Sequence, residues 1–167
     1  MKIYNYKLLE MDKYDIKILE EVQKNGRVTN KELAQKINLS PAPCWRRINA
    51  LEELGYIKNY TALLNHEKIG LTITAFAHVS LNNHHEKTVA EFDNSIAKWQ
   101  EVQECHATSG GYDYLLKIVT VDMQAYNAFM YNHLLKLKAI RSVNTSFSMV
   151  QKKVSTQLPL LHLKSIS

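Results

Sequence analysis

The sequence has few of the features that mark secreted, membrane or metal-binding proteins. Only two of its 167 residues are cysteines, Cys44 and Cys105, which are too few for a disulfide framework and too isolated for a zinc site. No apolar run approaches the roughly 18 residues that a membrane span requires, and the N-terminus lacks a signal-peptide pattern. The histidines show no metal-ligand spacing. We therefore expect a cytoplasmic protein with reduced cysteines, no membrane partner, no metal and no cofactor.

Apolar content and charge define the broad class. Apolar residues make up 46% of the chain, which excludes a mostly disordered protein and allows one domain or two small ones. The formal net charge of +5 suits a polyanionic partner without identifying one. Residues 1–60 contain 11 Lys and Arg against 8 Asp and Glu, and residues 61–167 contain 10 against 8. The positive charge is therefore not confined to one half of the chain.

Residues 30–55 predict two short helices joined by a tight turn. Thr29 and Glu32 have the spacing of a capping box, and the apolar residues that follow share one face of the first helix. Ser40 suits the N-cap of the second helix, and Gly55 suits a left-handed C-terminal cap. This pattern is typical of a helix-turn-helix, although an ordinary helical hairpin has it too.

The second of these helices would present a polar face to a partner. Cys44, Ile48 and Leu51 share the side that must pack, and Arg and Asn on the opposite side are residue types that pair with guanine and adenine. Arg47 is either a phosphate contact or a structural salt bridge. Trp45 either stacks on the DNA backbone or covers a neighbouring helix. The predicted DNA-binding residues are Ser40, Ala42, Trp45, Arg46, Arg47, Asn49 and Lys58, of which Arg46 and Asn49 read bases while Ser40, Arg47 and Lys58 hold the backbone.

The rest of the N-terminal part completes a small domain. Asp12 predicts the cap of an earlier helix that stops at Asn25-Gly26, and residues 56–64 predict a strand or wing beside the second helix. Residues before Met11 show no clear period, so Met11 is also a candidate start. We divide the chain into an arm (1–11), a winged helix-turn-helix (12–60), a hinge strand or linker (61–71), an αβ sandwich (72–154) and a tail (155–167).

Residues 72–154 predict the order β-α-β-β-α-β. The predicted strands are 73–81, 102–108, 112–121 and 143–150, and the predicted helices are 89–99 and 126–137. This order is that of a ferredoxin-like sandwich, with both helices on one face of an antiparallel sheet. The other face lacks an intramolecular cover, so we expect a second copy of the protein to bury Phe76 and Phe147 there. The fold class is α+β.

Two long stretches resemble the Lrp/AsnC family, the feast/famine transcription regulators. They are MDKYDIKILEEVQKNGRVTNKELAQKINLSPAPCWRRINALEELGYIKNYTALLN and VQECHATSGGYDYLLKI. The resemblance implies double-stranded DNA as a partner and an αβ sandwich that forms homodimers and higher assemblies, tetramers or octamers. It also implies a small amino-acid effector bound between subunits. The implied effector-binding residues are Ala107, Ser109, Gly110, Gly111, Tyr112, Asp113, Met123, Ser146, Phe147 and Ser148.

The chemistry of these residues suits an amino-acid ligand, but it also has a purely structural explanation. Asp113 would accept from the ligand's ammonium and the Gly110-Gly111 turn would donate to its carboxylate. A tight β-turn with an Asp cap has the same residues for structural reasons alone. Gly111 stands where several relatives carry Asp, and Ser146 and Ser148 are more polar than usual, so the pocket prefers a different ligand or none.

We expect a sequence-specific transcription regulator, modulated by an amino acid, that binds a pseudo-palindromic site as a dimer or larger oligomer. A ligand-independent architectural protein that coats DNA is the alternative. An enzyme is not expected, because the sequence contains no paired carboxylates, Ser/His/Asp set or phosphate loop.

Overall fold

The computed structural model describes residues 11–163, so all of the predicted arm except Met11 lies outside the described residues. The chain divides into two compact units. The first contains residues up to Ala62 and those from Lys153 onward, and the second is Leu63–Lys152. The chain therefore leaves the first unit and later returns to it, which the sequence analysis did not predict.

Three helices build the first unit, and two of them begin with reciprocal caps. Thr29 Oγ1 accepts from the Glu32 N–H at 3.3 Å, and Glu32 Oε2 accepts from the Thr29 N–H at 2.8 Å. Asp12 and Asp15 form the equivalent capping box one helix earlier. Each box satisfies backbone N–H groups that a first helical turn leaves unpaired. The helices are α1 (Lys13–Lys24), α2 (Asn30–Ile37) and α3 (Pro41–Glu53).

The apolar faces of the three helices enclose one small core, as their periodicity predicted. Gly55, with φ of +76°, ends α3 in the left-handed region, and the Tyr56 N–H donates to the Leu51 carbonyl at 2.9 Å. The Ile57 side chain then packs against the core. The buried residues of this cluster are Ile18, Val22, Leu33, Ala34, Ile37, Cys44 and Leu51.

The prediction of a strand at residues 56–64 is wrong. All of these residues are described, and they form no strand. Their β-prone side chains predict an extended backbone, but a strand also needs a neighbour with which to exchange hydrogen bonds, and a local pattern does not supply one.

The second unit has the predicted β-α-β-β-α-β order. Its four strands form one antiparallel sheet, in which the third strand lies between the second and the first, and the fourth lies on the other side of the first, as in a ferredoxin-like sandwich. The fold class, α+β, is confirmed. The elements are β1 (Ile73–Leu81), α4 (Glu86–Ile96), β2 (Val102–Ala107), β3 (Tyr114–Thr120), α5 (Met123–Asn132) and β4 (Ile140–Phe147).

The C-terminal part of the sandwich differs from the prediction in the bounds of one helix and one strand. The helix expected at 126–137 ends at Asn132, and a separate 3-10 turn follows at Leu134–Lys136. His133 between them has φ of −121° and ψ of −77°, outside the helical region. The last strand begins and ends three residues earlier than the expected 143–150. The periodicity of the apolar residues did not predict the break between α5 and the 3-10 turn.

Both helices pack on one face of the sheet. That face contributes the inward residues of β1 and β3, and α4 and α5 contribute Phe92, Tyr126 and Phe129. The opposite face, called the open face here, carries Phe76 and His78 of β1 and their cross-strand partners. Phe76 is 36% exposed in the single chain.

Phe147 does not lie on the open face, so that part of the prediction is wrong. The register places Phe147 opposite Ala75, a core residue of the helix-covered face, and cross-strand partners point to the same side of a sheet. Its ring packs edge-to-face on Tyr126 with centroids 4.9 Å apart. Ser146, opposite Phe76, is on the open face instead.

Candidate DNA interface and effector site

The N-terminal half of α3 presents a polar and aromatic surface. Ala42, Trp45 and Arg46 are exposed, with Trp45 exposed by 56%, and Asn49 is half-buried. Cys44 and Leu51 on the other side are buried in the core. Helical spacing therefore separates a packed side from a side that is available to a partner, as the sequence predicted.

Arg47 is held by two carboxylates of α1 and its cap. Its guanidinium lies 2.7 Å from Asp12 Oδ2 and 2.7 Å from Asp15 Oδ1, and it also lies over the Tyr14 ring. The Asp15 and Asp12 hydrogen bonds raise the pKa of Arg47 against the opposing effect of burial. Of the two roles that the sequence allowed for Arg47, a phosphate contact or a structural salt bridge, this geometry is that of the salt bridge. A phosphate contact would compete with it.

Ser40 precedes α3 in the chain, and Lys58 follows it. Ser40 occupies the N-cap position of α3, but its side chain makes no capping hydrogen bond. Lys58 lies in the segment after Gly55, which is neither helix nor strand. Tyr60 in the same segment donates from its hydroxyl to Glu52 Oε1 at 2.8 Å; burial and this hydrogen bond raise the pKa of Tyr60 to about 12. The segment is therefore fastened to α3 although it forms no strand.

A shallow apolar groove beside α3 was missed by the sequence analysis. It has a volume of about 430 Å³, and α3 contributes residues at helical spacing to its wall. The sequence signal for this groove is a set of residues spaced three or four apart from Pro43 to Leu54, which places them on one side of the helix. In the structure, Leu54 is 55% exposed. The lining residues are Met11, Asp15, Pro43, Arg46, Arg47, Ala50, Leu51, Leu54 and Tyr56.

One group of predicted effector residues surrounds the β2–β3 turn. Gly110 has φ of +128°, which only glycine adopts readily, and Tyr112 packs its ring on His78 at 5.0 Å. Ala107 ends β2, and the turn residues Ser109, Gly110 and Gly111 are exposed. The backbone around the turn is open to a small molecule.

Asp113 already has partners within its own chain. Its Oδ2 accepts from the Leu81 N–H at 2.7 Å, and its Oδ1 lies 2.8 Å from His84 Nε2. The Leu81 N–H, and after it His84, lower the pKa of Asp113 despite the opposing effect of burial. Asp113 therefore caps the end of β1. This is the structural role that the sequence allowed for Asp113 besides effector binding.

The remaining effector residues lie towards the other end of the sheet, with Ser146 opposite Phe76 near the middle of β1. The Ser148 N–H donates to the Thr74 carbonyl at 2.9 Å, and Met123 begins α5 after the strand end that pairs with Ile73. Thr74 and Leu81 are seven residues apart in β1, which is roughly 23 Å in an extended strand. Within one chain, Met123 and Ser148 are therefore separated from the β2–β3 turn, whereas Ser146 shares the open face with His78, the ring partner of Tyr112.

Two family models match the chain and cover both units. Residues 74–158 match the Lrp/AsnC ligand binding domain, and residues 11–58 match a winged helix-turn-helix DNA-binding model. The chain belongs to the Lrp/AsnC family of transcription regulators. Its members are DNA-binding regulators rather than enzymes, and oligomers are typical of them.

Individual Lrp/AsnC relatives match over nearly their whole length. The leucine-responsive regulatory proteins of Escherichia coli K12 and Klebsiella pneumoniae are each 38% identical over 149 residues, which is 89% of this chain and 91% of theirs. A Neisseria meningitidis transcriptional regulator solved as an L-Met complex is 41% identical with a TM-score of 0.89, covering 92% of this chain and 99% of its own. An AsnC family regulator from Agrobacterium tumefaciens is 38% identical with a TM-score of 0.86, covering 91% and 99%.

Two other features are absent from residues 11–163. No helix among them is long and apolar enough to cross a bilayer. Within the same range, no group of three or more His, Cys, Asp or Glu side chains is arranged to hold a metal ion.

Proposed function

We propose that the protein is a cytoplasmic Lrp/AsnC regulator whose α3 helix reads a pseudo-palindromic operator. The observation that carries this proposal is the exposed side of α3. Arg46 has the chemistry for a bidentate contact with guanine and Asn49 for one with adenine. Ala42 and Trp45 lie on the same side. Ser40, at the N-cap of α3, and Lys58, after its C-terminal cap, are the proposed phosphate contacts.

Arg47 has a different part in this proposal. Its bonds to Asp12 and Asp15 tie α3 to the start of α1, so it orients the recognition helix. A contact with phosphate would use a guanidinium that is 33% exposed and that already serves two carboxylates. We expect Arg47 to act mainly through this positioning.

The proposed effector is an amino acid that binds between two copies of the chain. Met123 and Ser148 are separated from the β2–β3 turn along one sheet, so an interface between copies is the way to bring them to one ligand. The Neisseria relative's complex with L-Met and the leucine-responsive names of other relatives favour an apolar amino acid. The Gly110-Gly111 turn would donate to its carboxylate. Asp113 would accept from its ammonium in competition with His84.

Binding isotherms on selected and random DNA test the proposal. Arg46→Ala should weaken binding to the selected operator by about 1–3 kcal/mol and relax specificity at one base pair. Arg27→Ala, which removes an exposed arginine from the turn before α2, is the matched control. Equal weakening of both DNAs by Arg46→Ala would identify Arg46 as a phosphate contact instead.

The same isotherms, repeated with L-Met and with L-Leu, test the effector. At least one should shift the apparent affinity for the operator, because a ligand that binds the two states of the protein differently must shift their equilibrium. An unchanged affinity together with little preference for selected DNA would favour the architectural alternative.

A further inference from the structure

Both segments that connect the two units are fastened near the C-terminal end of α1. On the outgoing segment, Tyr60 packs over Gly26, where an added Cβ would lie 3.3 Å from Tyr60 Cδ1. On the returning segment, Leu158 is hydrogen-bonded to Gln23, in the last turn of α1. Two attachments that are far apart in sequence therefore meet within four residues of one helix end.

The attachment of the returning segment is a two-bond clasp. Gln23 Nε2 donates to the Leu158 carbonyl at 3.1 Å, and the Leu158 N–H donates to Gln23 Oε1 at 2.8 Å. A glutamine amide thus satisfies both polar groups of one residue's backbone, as a neighbouring strand would. Farther along, Leu163 is buried to 7% exposure, and a cavity of about 270 Å³ lies beside the clasp. Its lining includes Glu20, Gln23, Lys24, Gln157, Leu158, Leu160 and Leu161.

The segment before the clasp has little structure of its own. Residues 148–160 form no helix or strand, and Met149 is 94% exposed. Gln23 therefore fixes this segment at Leu158, and the segment ends at the buried Leu163. A clasp with both hydrogen bonds also sets which residue of the segment lies against α1.

We infer that residues 149–163 are a second tether that restrains the DNA-binding unit, and that Gln23 is the positioning residue that latches it. A unit held by one connection samples more orientations than a unit held by two. An oligomer that binds two half-sites must keep its recognition helices at a fixed spacing, so restraint raises the effective concentration for the second half-site. The inference rests on the paired half-sites of the proposed operator.

The test compares binding of the full chain to DNA with two half-sites and to DNA with one. Gln23→Ala should weaken binding to the paired site by roughly threefold to tenfold, the range expected for losing one or two net hydrogen bonds. Binding to the single half-site should stay unchanged, because α3 and its contacts are intact. Gln151→Ala is the matched control, since it removes an exposed glutamine from the same segment.

Two further variants separate latching from folding. Leu163→Ala releases the same tether at another point, so it should reproduce the loss at the paired site, and the double variant should add little. Gln23→Glu keeps an acceptor for the Leu158 N–H but loses the donor to its carbonyl, so it should also weaken binding to the paired site, and unchanged binding would overturn the latch. A loss on both DNAs would mean that Gln23 only supports the fold, and this result would overturn the latch.

The outcomes distinguish the tether from the proposed operator. If the unmodified chain does not prefer paired over single half-sites, the paired operator is wrong, and the tether's role is overturned with it. If that preference holds and Gln23→Ala behaves like Gln151→Ala, the tether alone is overturned.

Discussion

The Asp113 carboxylate is occupied before any ligand arrives. It caps the Leu81 N–H with one oxygen and contacts His84 with the other. An incoming ammonium group would have to share Oδ1 or displace the imidazole, whereas Oδ2 can keep its backbone partner. The Asp113 side chain can therefore cap β1 with one oxygen and contact an effector with the other. His84 is the group in this chain whose removal would make Oδ1 more accessible.

Asp113 also makes stability depend on pH in a defined direction. Folding lowers its pKa, so its stabilising effect is present above the unfolded-state value of about 3.9 and is lost as pH falls through the folded-state pKa. Asp113→Asn should cost about 1 kcal/mol of unfolding free energy at pH 7 and less near pH 3. Urea unfolding followed by Trp99 fluorescence, in a Trp45→Phe background, measures this in the second unit.

The control for this pH effect is another carboxylate of the same unit. Asp93 is exposed on α4, and Asp93→Asn should change the unfolding free energy little at either pH. A cost of Asp113→Asn that stayed the same from pH 7 to pH 3 would show that the carboxylate charge does not contribute.

At the scale of elements, the starts of α2 and α3 differ in how they are capped. Thr29 forms a reciprocal box with Glu32, whereas the Ser40 side chain makes no capping bond. Thr29→Ala should therefore lower the unfolding free energy of the first unit by about 1 kcal/mol, and Ser40→Ala by much less. Trp45 fluorescence during urea unfolding reports on this unit. An equal cost for both variants would mean that Ser40 caps α3 in solution.

Caps and periodicity predicted the helices because they are local signals. Thr29 and Glu32 are three residues apart, and the buried faces of α1 to α3 repeat at helical spacing. The face of Phe147 depends instead on the register between β1 and β4, whose residues are about 70 positions apart in sequence. A strand-like pattern at 56–64 likewise could not show whether a partner strand exists.

The same distinction applies to the sites. The exposed side of α3 follows from spacing within one helix, so it was predictable. The bonds from Arg47 to Asp15 and from Asp113 to Leu81 each join residues 32 positions apart, and the Gln23–Leu158 clasp joins residues 135 apart. No pattern within a window of sequence specifies such pairs. Sequence reasoning therefore left Arg47 and Asp113 with alternatives and did not identify Gln23.

At the scale of the whole molecule, the open face of the sheet is the surface that we propose pairs two copies. Phe76 lies at its centre, between Lys117 of β3 and Ser146 of β4. A second sheet placed over this face would remove the ring from water, whereas the helices already cover the other face. Burial of such a surface favours association in proportion to the apolar area removed from water.

Phe76→Lys should therefore weaken self-association, because pairing would bury an added charge beside Lys117. Sedimentation velocity over a concentration series measures the loss as a shift towards smaller species. Tyr131→Lys is the matched control, since it makes the same kind of change at an exposed position of α5 on the helix side of the sheet. Phe76→Lys should also lower affinity for paired half-sites more than for a single one, because two recognition helices then no longer arrive together. Unchanged sedimentation for Phe76→Lys, or equal shifts for both variants, would place the interface between copies elsewhere on the molecule.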